Sequence, residues 1–338
     1  MRIYPFFIPH AGCPHDCLFC NQKATTAREA VPTARSVRQE LEAMLPRQGG
    51  GEVAFYGGSF TLLPLAQQRA YLEVVTPFLQ QGRLDGIRLS TRPDALSPET
   101  VARLAEYGVS TVEIGVQSFS PEILRFSERG HGVEDLPEVV ESLRRAKIRV
   151  GLQLMPGLPG ADRRESRRSL GSALALAPDF LRLYPVLVLG GTALAALWRQ
   201  GEYRSLCLMT AVSWCAELLW RCREAQVPVI RIGLQESEGL HRPGALLAGP
   251  WHPAFGQLVR SRLWFRALWR LMHEGAGEVR IHPADWSDAI GHRQQNLHWF
   301  SRLGGGLTLK QDASLMRESL ACAKEIYPLQ RLAAYSVA

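Results

Sequence analysis

Short apolar runs alternate with amphipathic segments over the first two-thirds of the chain, and this alternation constrains the fold more than any other feature. The apolar runs have the length and composition of β-strands, and they are Ile3–Ile8, Glu52–Tyr56, Gly86–Thr91, Thr111–Gly115, Arg149–Met155 and Phe180–Tyr184. The segments between them have helical periodicity, and they are Ser36–Leu45, Leu65–Leu79, Pro98–Tyr107, Glu134–Ala146 and Arg164–Ala175. Alternating strands and helices predict an α/β fold with a parallel sheet. Six strands are fewer than the eight of a complete TIM barrel, so we predict an open, partial (βα)6 barrel.

The pattern changes after a further predicted strand at Val229–Ile232. The segment Gly239–Pro253 is rich in Gly, Pro and His, which indicates a loop. Beyond it we predict helices at Phe255–His273, Arg293–Arg302 and Ala313–Ile326, and a short strand near Val279–His282. We therefore predict a core domain over residues 1–235 and a small α-rich C-terminal extension over residues 236–338.

Chemistry-bearing residues cluster just after the predicted strands. Ligands of barrel folds gather at the C-terminal ends of the strands, so this coincidence points to one site. In chain order the segments are the loop with Cys13, Cys17 and Cys20, then Gly57-Gly58-Ser59-Phe60, Arg92-Pro93-Asp94, Gln117, Pro156-Gly157-Leu158-Pro159 and Tyr184-Pro185.

The cysteines Cys13, Cys17 and Cys20 have CxxxCxxC spacing, which brings three thiolates onto one tight loop. Three thiolates can hold three irons of a 4Fe-4S cluster and leave the fourth iron open, as a catalytic metal centre requires. The alternatives are a zinc site and unrelated free thiols. Zinc would need a fourth ligand, and although His10 and His15 are available, no second CxxC or HxxxH follows. An odd total of seven cysteines in a long chain argues against a disulfide scaffold.

Composition and charge restrict the class of protein only broadly. A chain of 338 residues with 46% hydrophobic content can bury one large α/β core and a smaller unit. The segment Met1–Pro9 has one basic residue and two prolines, so we expect neither a signal peptide nor a membrane anchor there. The longest uncharged stretches, Tyr184–Trp198 and Ser205–Ala216, are too short to span a bilayer. We therefore expect a soluble cytoplasmic protein, and its net charge of +7 permits an anionic partner.

The cysteine spacing, with an aromatic residue before the last cysteine, resembles the signature of the radical S-adenosylmethionine (SAM) superfamily. This resemblance implies the same partial barrel, together with a 4Fe-4S cluster and SAM as cofactors. In that superfamily the open iron binds the amino and carboxylate groups of SAM, and one electron from the cluster cleaves SAM to a 5′-deoxyadenosyl radical. The resemblance also implies a low-potential electron donor such as flavodoxin or ferredoxin as a partner.

Several further residues resemble SAM contacts of this superfamily. Gly57-Gly58-Ser59-Phe60 is similar to the GGE or GGxF stretch that holds the SAM amino group through main-chain atoms, although an ordinary βα turn has the same composition. Gln117 and Arg129 resemble the pair that contacts the SAM ribose and carboxylate in oxygen-independent coproporphyrinogen oxidases. Where those enzymes carry acidic residues on strands three and five, this chain has Ser90 and Gln153, which we also assign to the SAM site.

The most extensive resemblance is to the radical SAM domain of the Elongator complex catalytic subunit, over about residues 1–235. It rests on Thr91-Arg92-Pro93-Asp94, Val112–Ser118, Arg129-Gly130-His131, Leu154–Pro159, Leu183–Val188, Gly191-Thr192 with Leu197-Trp198, and Val229–Ile232. It implies that Arg92, Asp94 and His131 lie near SAM and the substrate as catalytic or substrate-contacting residues. His131 has an alternative interpretation as a packed loop residue. We expect residues 236–338 not to form the acetyltransferase domain of Elongator subunits, because they contain no acetyl-CoA-type Gly loop.

Two groups of arginines suggest contact with nucleic acid. They are Arg262, Arg266 and Arg270, interleaved with Trp264, Phe265 and Trp269, and the cluster Arg163, Arg164, Arg167 and Arg168. Arginine beside aromatic rings suits phosphates and unstacked bases, although a solvated helix face has the same pattern. We therefore predict a radical SAM enzyme whose favoured substrate is a nucleoside of RNA, most specifically tRNA. The alternatives are a radical SAM enzyme for a small metabolite such as a tetrapyrrole, and a non-catalytic iron–sulfur protein that binds RNA.

Overall fold

A computed structural model describes residues 2–22, 25, 30–46, 49–302 and 306–335. The chain forms two compact units. The first comprises Met1–Ser205 and Gln235–Gly249, and the second comprises Leu206–Leu234 and Pro250–Ala338. The boundary after residue 235 that the sequence suggests stays a prediction.

The secondary-structure elements are numbered here in chain order. The strands are β1 Ile3–Phe7, β2 Glu52–Tyr56, β3 Gly86–Thr91, β4 Val109–Gln117, β5 Arg149–Leu154, β6 Phe180–Leu183, β7 Val188–Leu189, β8 Val229–Ile232, β9 Leu246–Ala248, β10 Glu278–Ile281, β11 Thr308–Gln311, β12 Ser319–Cys322 and β13 Glu325–Pro328. The α-helices are α1 Ala34–Met44, α2 Leu65–Gln80, α3 Pro98–Glu106, α4 Pro121–Phe126, α5 Leu136–Arg145, α6 Arg163–Ala175, α7 Ala193–Gln200, α8 Leu208–Glu224, α9 Phe255–His273, α10 Trp286–Ile290, α11 Gln295–Arg302 and α12 Leu329–Leu332. Short 3-10 helices cover Phe60–Leu62, Pro93–Ala95, Glu238–His241, Pro283–Asp285 and His292–Gln294.

The first unit is built on a parallel sheet in which β1 to β6 lie side by side in sequence order. Helices connect successive strands, so the predicted α/β fold and partial barrel are confirmed. All six predicted strands exist, and β2 and β3 have the predicted bounds. Strand β4 is longer than predicted by two residues at each end, and its last residue is Gln117. The C-terminal ends of these strands meet at one edge of the sheet, which is where the candidate site residues lie.

Side-chain caps explain where several helices of the first unit begin. The hydroxyl of Ser97 accepts the backbone N–H of Thr100 at 3.2 Å, and Pro98 provides a first helical residue that needs no hydrogen-bond acceptor. The carboxylate of Asp162 likewise accepts the N–H of Glu165 at 2.6 Å. These caps place each helix start directly after a strand and its loop, and therefore position the loops at the edge of the sheet.

The second unit has its own core and its own sheet. The core surrounds Trp264, which is 2% exposed on helix α9. The sheet has the strand order β11-β10-β12-β13, with β10 parallel to β11 and antiparallel to β12. The predicted helix Phe255–His273 and the predicted strand β8 are confirmed with their bounds.

The predicted helix at Ala313–Ile326 is wrong, because this segment contains the hairpin of β12 and β13. Leu320 pairs with Tyr327 across the hairpin, and Ala323 at its turn has a positive φ of 52°. Ala, Leu and Glu in this segment favour a helix locally, but Leu320 is fully buried in the sheet through β10. Tertiary pairing therefore overrides local propensity here. Among the described residues, no helix is long and apolar enough to cross a membrane.

Candidate functional site

The three cysteines Cys13, Cys17 and Cys20 lie on the loop that follows β1, and each is partly exposed. Backbone hydrogen bonds fold the loop tightly, since the N–H of Cys20 donates to the carbonyl of Cys17 at 2.9 Å. Leu18 and Phe19 are 5% and 8% exposed and anchor the loop in an apolar cluster of the first unit. The loop is therefore held by its apolar residues, while its three cysteines remain partly exposed.

The loop that contains Gly57 and Gly58 packs closely against the cysteine loop and is hydrogen-bonded to it. Gly58 has a φ of 60°, and a Cβ atom there would lie 2.2 Å from the carbonyl oxygen of Ala11, so only glycine fits. The next residue, Ser59, donates its backbone N–H to the same carbonyl at 2.9 Å. Gly57 also has a positive φ, of 76°. The two glycines thus permit the close approach of two backbones that the predicted SAM site requires.

Ser59 and Phe60 have different environments. Ser59 is 1% exposed, and its hydroxyl lies 3.5 Å from the sulfur of Cys13. Phe60 is fully buried, and its ring centroid lies 5.2 Å from that of Phe55 and 6.3 Å from that of Tyr71. Ser59 therefore contacts a cysteine of the loop, whereas the ring of Phe60 anchors the loop in the core and leaves only its backbone for a ligand.

Gln22 is a site residue that the sequence analysis missed. Its side-chain oxygen accepts the backbone N–H of Gly58 at 2.7 Å and that of His10 at 2.6 Å. It also forms a side-chain hydrogen bond to the thiol of Cys20. Gln22 thus connects the end of the cysteine loop with both neighbouring loops. Nothing in its local sequence distinguishes it from a glutamine on the surface.

Arg129 reaches the cysteine loop with its guanidinium group. Its Nη1 donates to the sulfur of Cys17 at 3.2 Å, its Nη2 to the carbonyl of Gly115 at 2.7 Å, and its Nε to Nε2 of His131 at 3.1 Å. Because Nε2 of His131 accepts, the imidazole carries its proton on Nδ1, which faces the carbonyl of Gly132 at 2.8 Å. Burial, together with the charge of Arg129, lowers the pKa of His131 to about 4, so this side chain is neutral near pH 7.

Arg92 and Asp94 form an ion pair beside this group. The guanidinium of Arg92 donates two hydrogen bonds of 2.9 Å each to the carboxylate of Asp94. Burial of Asp94 opposes its ionisation, but these bonds and the charge of Arg92 hold the pKa of its carboxyl below the usual value. Arg92 is 3% exposed, and its charge acts on Cys13. Asp94 therefore orients a buried positive charge toward the cysteine loop.

The two predicted glutamines are also brought together. Nε2 of Gln153 donates to Oε1 of Gln117 at 3.1 Å, across a register shift between β4 and β5. Gln117 has a φ of 74°, and a Cβ atom on Gly115 would lie 2.7 Å from its Nε2. Ser90 on β3 is half-buried and pairs in register with Glu113 on β4. The structure thus brings the predicted SAM contacts to one end of the sheet.

An open cavity of about 730 Å³ lies beside the cysteine loop. Its lining comes from the loop and from the segment around α4, and consists of His15, Asp16, Pro121, Arg125, Glu128, Gly130, His131 and Gly132. His131 therefore contacts both Arg129 and this cavity.

The three thiols fit an iron–sulfur cluster better than a single metal ion. Burial, and then the negative charges that Cys17 and Cys13 carry when ionised, raise the pKa of Cys20 to about 12, so the three sulfurs lie within electrostatic range of one another. Yet in the part of the chain that the structure describes, no three Cys, His, Asp or Glu side chains converge closely enough to hold one metal ion. Three thiols on one loop are the donor set that can hold three irons of a 4Fe-4S cluster, whereas a zinc site would need a fourth ligand.

A charged network across the strands was also missed. Arg88 on β3 donates hydrogen bonds of 2.7 Å to Glu52 on β2 and to Glu113 on β4, and Arg182 on β6 bonds both Glu113 and Tyr184. Glu52, Arg88 and Glu113 are at most 3% exposed, so each charge depends on its partners. Charged residues within short apolar strands, such as Arg88 in β3 and Glu113 in β4, were the sequence signal that could have identified this network.

The two predicted arginine groups differ in the structure. Arg266 on α9 donates to the carbonyls of Ala333 and Ala334 at 3.2 and 2.7 Å, and its guanidinium lies 3.8 Å from the ring centroid of Tyr335. It therefore holds the segment after α12 within the second unit, which favours the packing interpretation of this helix. In the other group, Arg164 and Arg168 are exposed on α6 of the first unit.

Comparisons with known proteins identify the family of this chain. Residues 7–170 match the family described as the Radical SAM superfamily, and residues 178–264 match the Radical SAM C-terminal domain. A tRNA uridine(34) acetyltransferase of Dehalococcoides mccartyi is 28% identical over 228 residues, which are 56% of this chain and 50% of that protein. Human Elongator complex protein 3 is 35% identical over 137 residues, 40% of this chain and 25% of that protein. The chain thus spans half or less of the length of these relatives.

A solved structure supports the fold. The archaeal Methanocaldococcus infernus Elp3 with an N-terminal deletion superposes with a TM-score of 0.56 at 21% identity, covering 80% of this chain and 63% of that one. The predicted resemblance to the radical SAM region of Elongator subunits is confirmed by these relatives. The chain belongs to the radical SAM superfamily, whose members are enzymes that use a 4Fe-4S cluster and SAM.

Proposed function

We propose that this protein is an enzyme that cleaves SAM reductively and abstracts a hydrogen atom from a nucleoside of tRNA. The observation that carries the proposal is the cysteine loop itself. Its cysteines are partly exposed, its backbone is hydrogen-bonded to the loop of Gly58, and Arg129 donates to the sulfur of Cys17.

The residues of the chain have distinct proposed roles. Cys13, Cys17 and Cys20 would hold the cluster, and when it is bound with SAM, these cofactors supply the organic radical that removes the hydrogen atom. Gly57 and Gly58 keep side chains away from the place where the main chain would meet SAM.

Polar side chains at the strand ends would complete the site. The side-chain amides of Gln117 and Gln153, which are hydrogen-bonded to each other, would contact the SAM ribose. Ser90 on the neighbouring strand β3 would contribute to the same site. Arg92, oriented by Asp94, and Arg129 place two positive charges near thiolates whose negative charge they offset. His131, neutral and next to the cavity, is the proposed substrate contact.

The tRNA substrate is supported by the relatives, which include tRNA uridine(34) acetyltransferases. Because the chain spans only part of those proteins, an acetyl transfer is not part of the proposal. A low-potential reductant such as flavodoxin or ferredoxin would supply the electron, and we propose the cytoplasm as the location.

Anaerobic reconstitution tests the chemistry. The protein is loaded with iron and sulfide, reduced with dithionite and incubated with SAM, and 5′-deoxyadenosine is measured by mass spectrometry. We expect product from the wild type, none from Cys17→Ala, and wild-type product from Cys207→Ala, which removes an exposed cysteine of the second unit. Equal product from wild type and Cys17→Ala would overturn the proposal.

A separate experiment tests the substrate. Total tRNA is titrated into the protein in a gel-shift assay, and Arg164→Glu/Arg168→Glu is compared with Arg145→Glu, a surface arginine that is 77% exposed on α5. We expect the double variant alone to lose at least tenfold in affinity, since each lost phosphate contact weakens binding. Absence of wild-type binding to tRNA would remove the tRNA part of the proposal and leave the SAM chemistry intact.

A further inference from the structure

We propose that Arg129 sets the reduction potential of the cluster through its hydrogen bond to Cys17, and that His131 is the positioning residue that aims it. The inference rests on the proposed function only in requiring that Cys17 ligate the cluster. Nη1 of Arg129 lies 3.2 Å from the sulfur of Cys17, while Nη2 and Nε are bound by Gly115 and His131. Every nitrogen of the guanidinium therefore has a defined partner within the protein.

The backbone around Arg129 holds this arrangement. Arg129 is 8% exposed, and its own N–H donates to the carbonyl of Leu124 at 3.1 Å. The carbonyl of Gly115 accepts Nη2 of Arg129 at 2.7 Å and so fixes one end of the guanidinium. Gly130 follows in a left-handed conformation with a φ of 66°, and a Cβ there would meet the ring of His15 at 2.3 Å. Gly130 thus leaves room for the ring of His15, which lies on the cysteine loop.

His131 determines the direction in which Arg129 points. Its Nδ1–H donates to the carbonyl of Gly132 at 2.8 Å, which leaves Nε2 as the acceptor for Nε of Arg129. A side chain without an acceptor at position 131 would leave the Nε–H of the buried Arg129 unpaired. The guanidinium would then turn toward solvent or another acceptor, and the bond to the sulfur would lengthen.

The chemical effect follows from charge. A protein changes the reduction potential of a cluster through hydrogen bonds to the cluster sulfurs and through the groups that surround the ligands. Reduction adds one electron, supplied by an external low-potential reductant, and so increases negative charge on the ligand sulfurs. A cationic donor at Cys17 stabilises that reduced state, so Arg129 raises the potential and eases electron entry.

This role is separable from binding of the SAM carboxylate. An arginine has five N–H donors, and the three bonds in the structure use three of them. The remaining two leave Arg129 able to meet a carboxylate as well. Measurement of the potential without SAM isolates the contact with Cys17.

The test is a redox titration of the reconstituted cluster, followed by electron paramagnetic resonance with no SAM present. We expect Arg129→Gln to shift the midpoint potential to a more negative value, and His131→Leu to shift it in the same direction by less. His131→Gln offers a side-chain oxygen to Nε of Arg129, so it should restore most of the wild-type potential. Arg145→Gln removes the same charge from an exposed site on α5 and should leave the potential unchanged.

Two results would overturn the inference. One is a wild-type potential in both Arg129→Gln and His131→Leu at wild-type cluster content, and the other is a failure of the wild type to assemble any 4Fe-4S cluster. Should Arg129→Gln fail to fold, the comparison of His131→Leu with His131→Gln decides by itself. A shift in potential without formation of 5′-deoxyadenosine would support this inference and contradict the proposed function, so the two failures are distinguishable.

Discussion

The side-chain oxygen of Gln22 lies 2.7 Å from the backbone nitrogen of Gly58, and this contact joins the end of the cysteine loop to the loop after β2. The same oxygen accepts the N–H of His10 at 2.6 Å. One amide thus pairs two backbone groups from different loops, which orders both before any ligand binds.

Substitution of Gln22 should therefore destabilise the protein and loosen the metal site. Gln22→Leu leaves two partly buried N–H groups without an acceptor, at a cost of about 1–3 kcal/mol in the free energy of unfolding. Urea denaturation measures the stability, and iron analysis after reconstitution should show reduced content. Gln80→Leu, an exposed position at the end of α2, serves as the control and should change neither quantity. Equal behaviour of the two variants would mean that Gln22 does not hold the loops together.

Alanine substitutions at Gly82 and Gly58 should distinguish a glycine needed only for its positive φ from one that also lacks room for a Cβ atom. Gly82 and Gly58 both have positive φ, 66° and 60°, but a Cβ on Gly82 meets no atom within 4 Å. Gly82→Ala should cost only the backbone strain, about 1 kcal/mol. Gly58→Ala adds a clash with the carbonyl of Ala11 and should cost about 2–4 kcal/mol in all. Denaturation curves of the two variants give the comparison, and similar costs would show that the loops do not meet as closely as described.

Arg266 should contribute to stability of the second unit. Arg266→Ala loses two hydrogen bonds to carbonyls and the contact with the ring of Tyr335, so we expect a loss of about 2 kcal/mol in the free energy of unfolding. Arg262 contacts the ring of Phe265, at 5.2 Å, as its one partner among the described residues, so Arg262→Ala should lose less than about 1 kcal/mol. Thermal unfolding followed by circular dichroism tests the difference. If Arg266→Ala keeps wild-type stability while losing affinity for RNA, the packing role is incorrect.

The free energy of unfolding should fall as the pH falls below 6.5, and His131 should account for part of this decrease. The unfolded chain binds a proton at this histidine below pH 6.5, whereas burial and the charge of Arg129 keep the folded form neutral down to a pKa of about 4. The unfolded state therefore binds more protons in this window, and the free energy of unfolding falls as the pH falls from 6.5 to 4. The lowered pKa of Asp94 acts in the same direction at still lower pH.

The measurement is urea denaturation at several pH values between 6.5 and 4. His131→Gln removes the titrating group and keeps an acceptor for Arg129, so its stability should depend less steeply on pH than that of the wild type. His298→Gln, at an exposed position on α11, should retain the wild-type slope. A wild-type slope in His131→Gln would contradict the assignment.

Local pattern was sufficient to predict the strands and most helices of the first unit. Strands β2 and β3 have the predicted bounds because apolar runs bounded by turn residues specify short strands without long-range information. The cysteines were predicted from spacing, since ligands on one loop are close in any fold. The hairpin of β12 and β13 was missed, because its residues favour a helix until β10 lies beside them.

The sequence by itself determined the class of fold, predicted the cysteines of the first loop as cofactor ligands, and located the strand ends where the other candidate site residues lie. Only the tertiary structure decided that Arg129 donates to Cys17, that Gln22 joins two loops, and that Arg266 holds the end of the second unit. The physical reason is that hydrogen bonds and ion pairs depend on distances between atoms far apart in the chain. The periodicity of a single segment does not reveal those distances. Strands, helices and the spacing of ligands, in contrast, depend on residues that are near one another in the sequence.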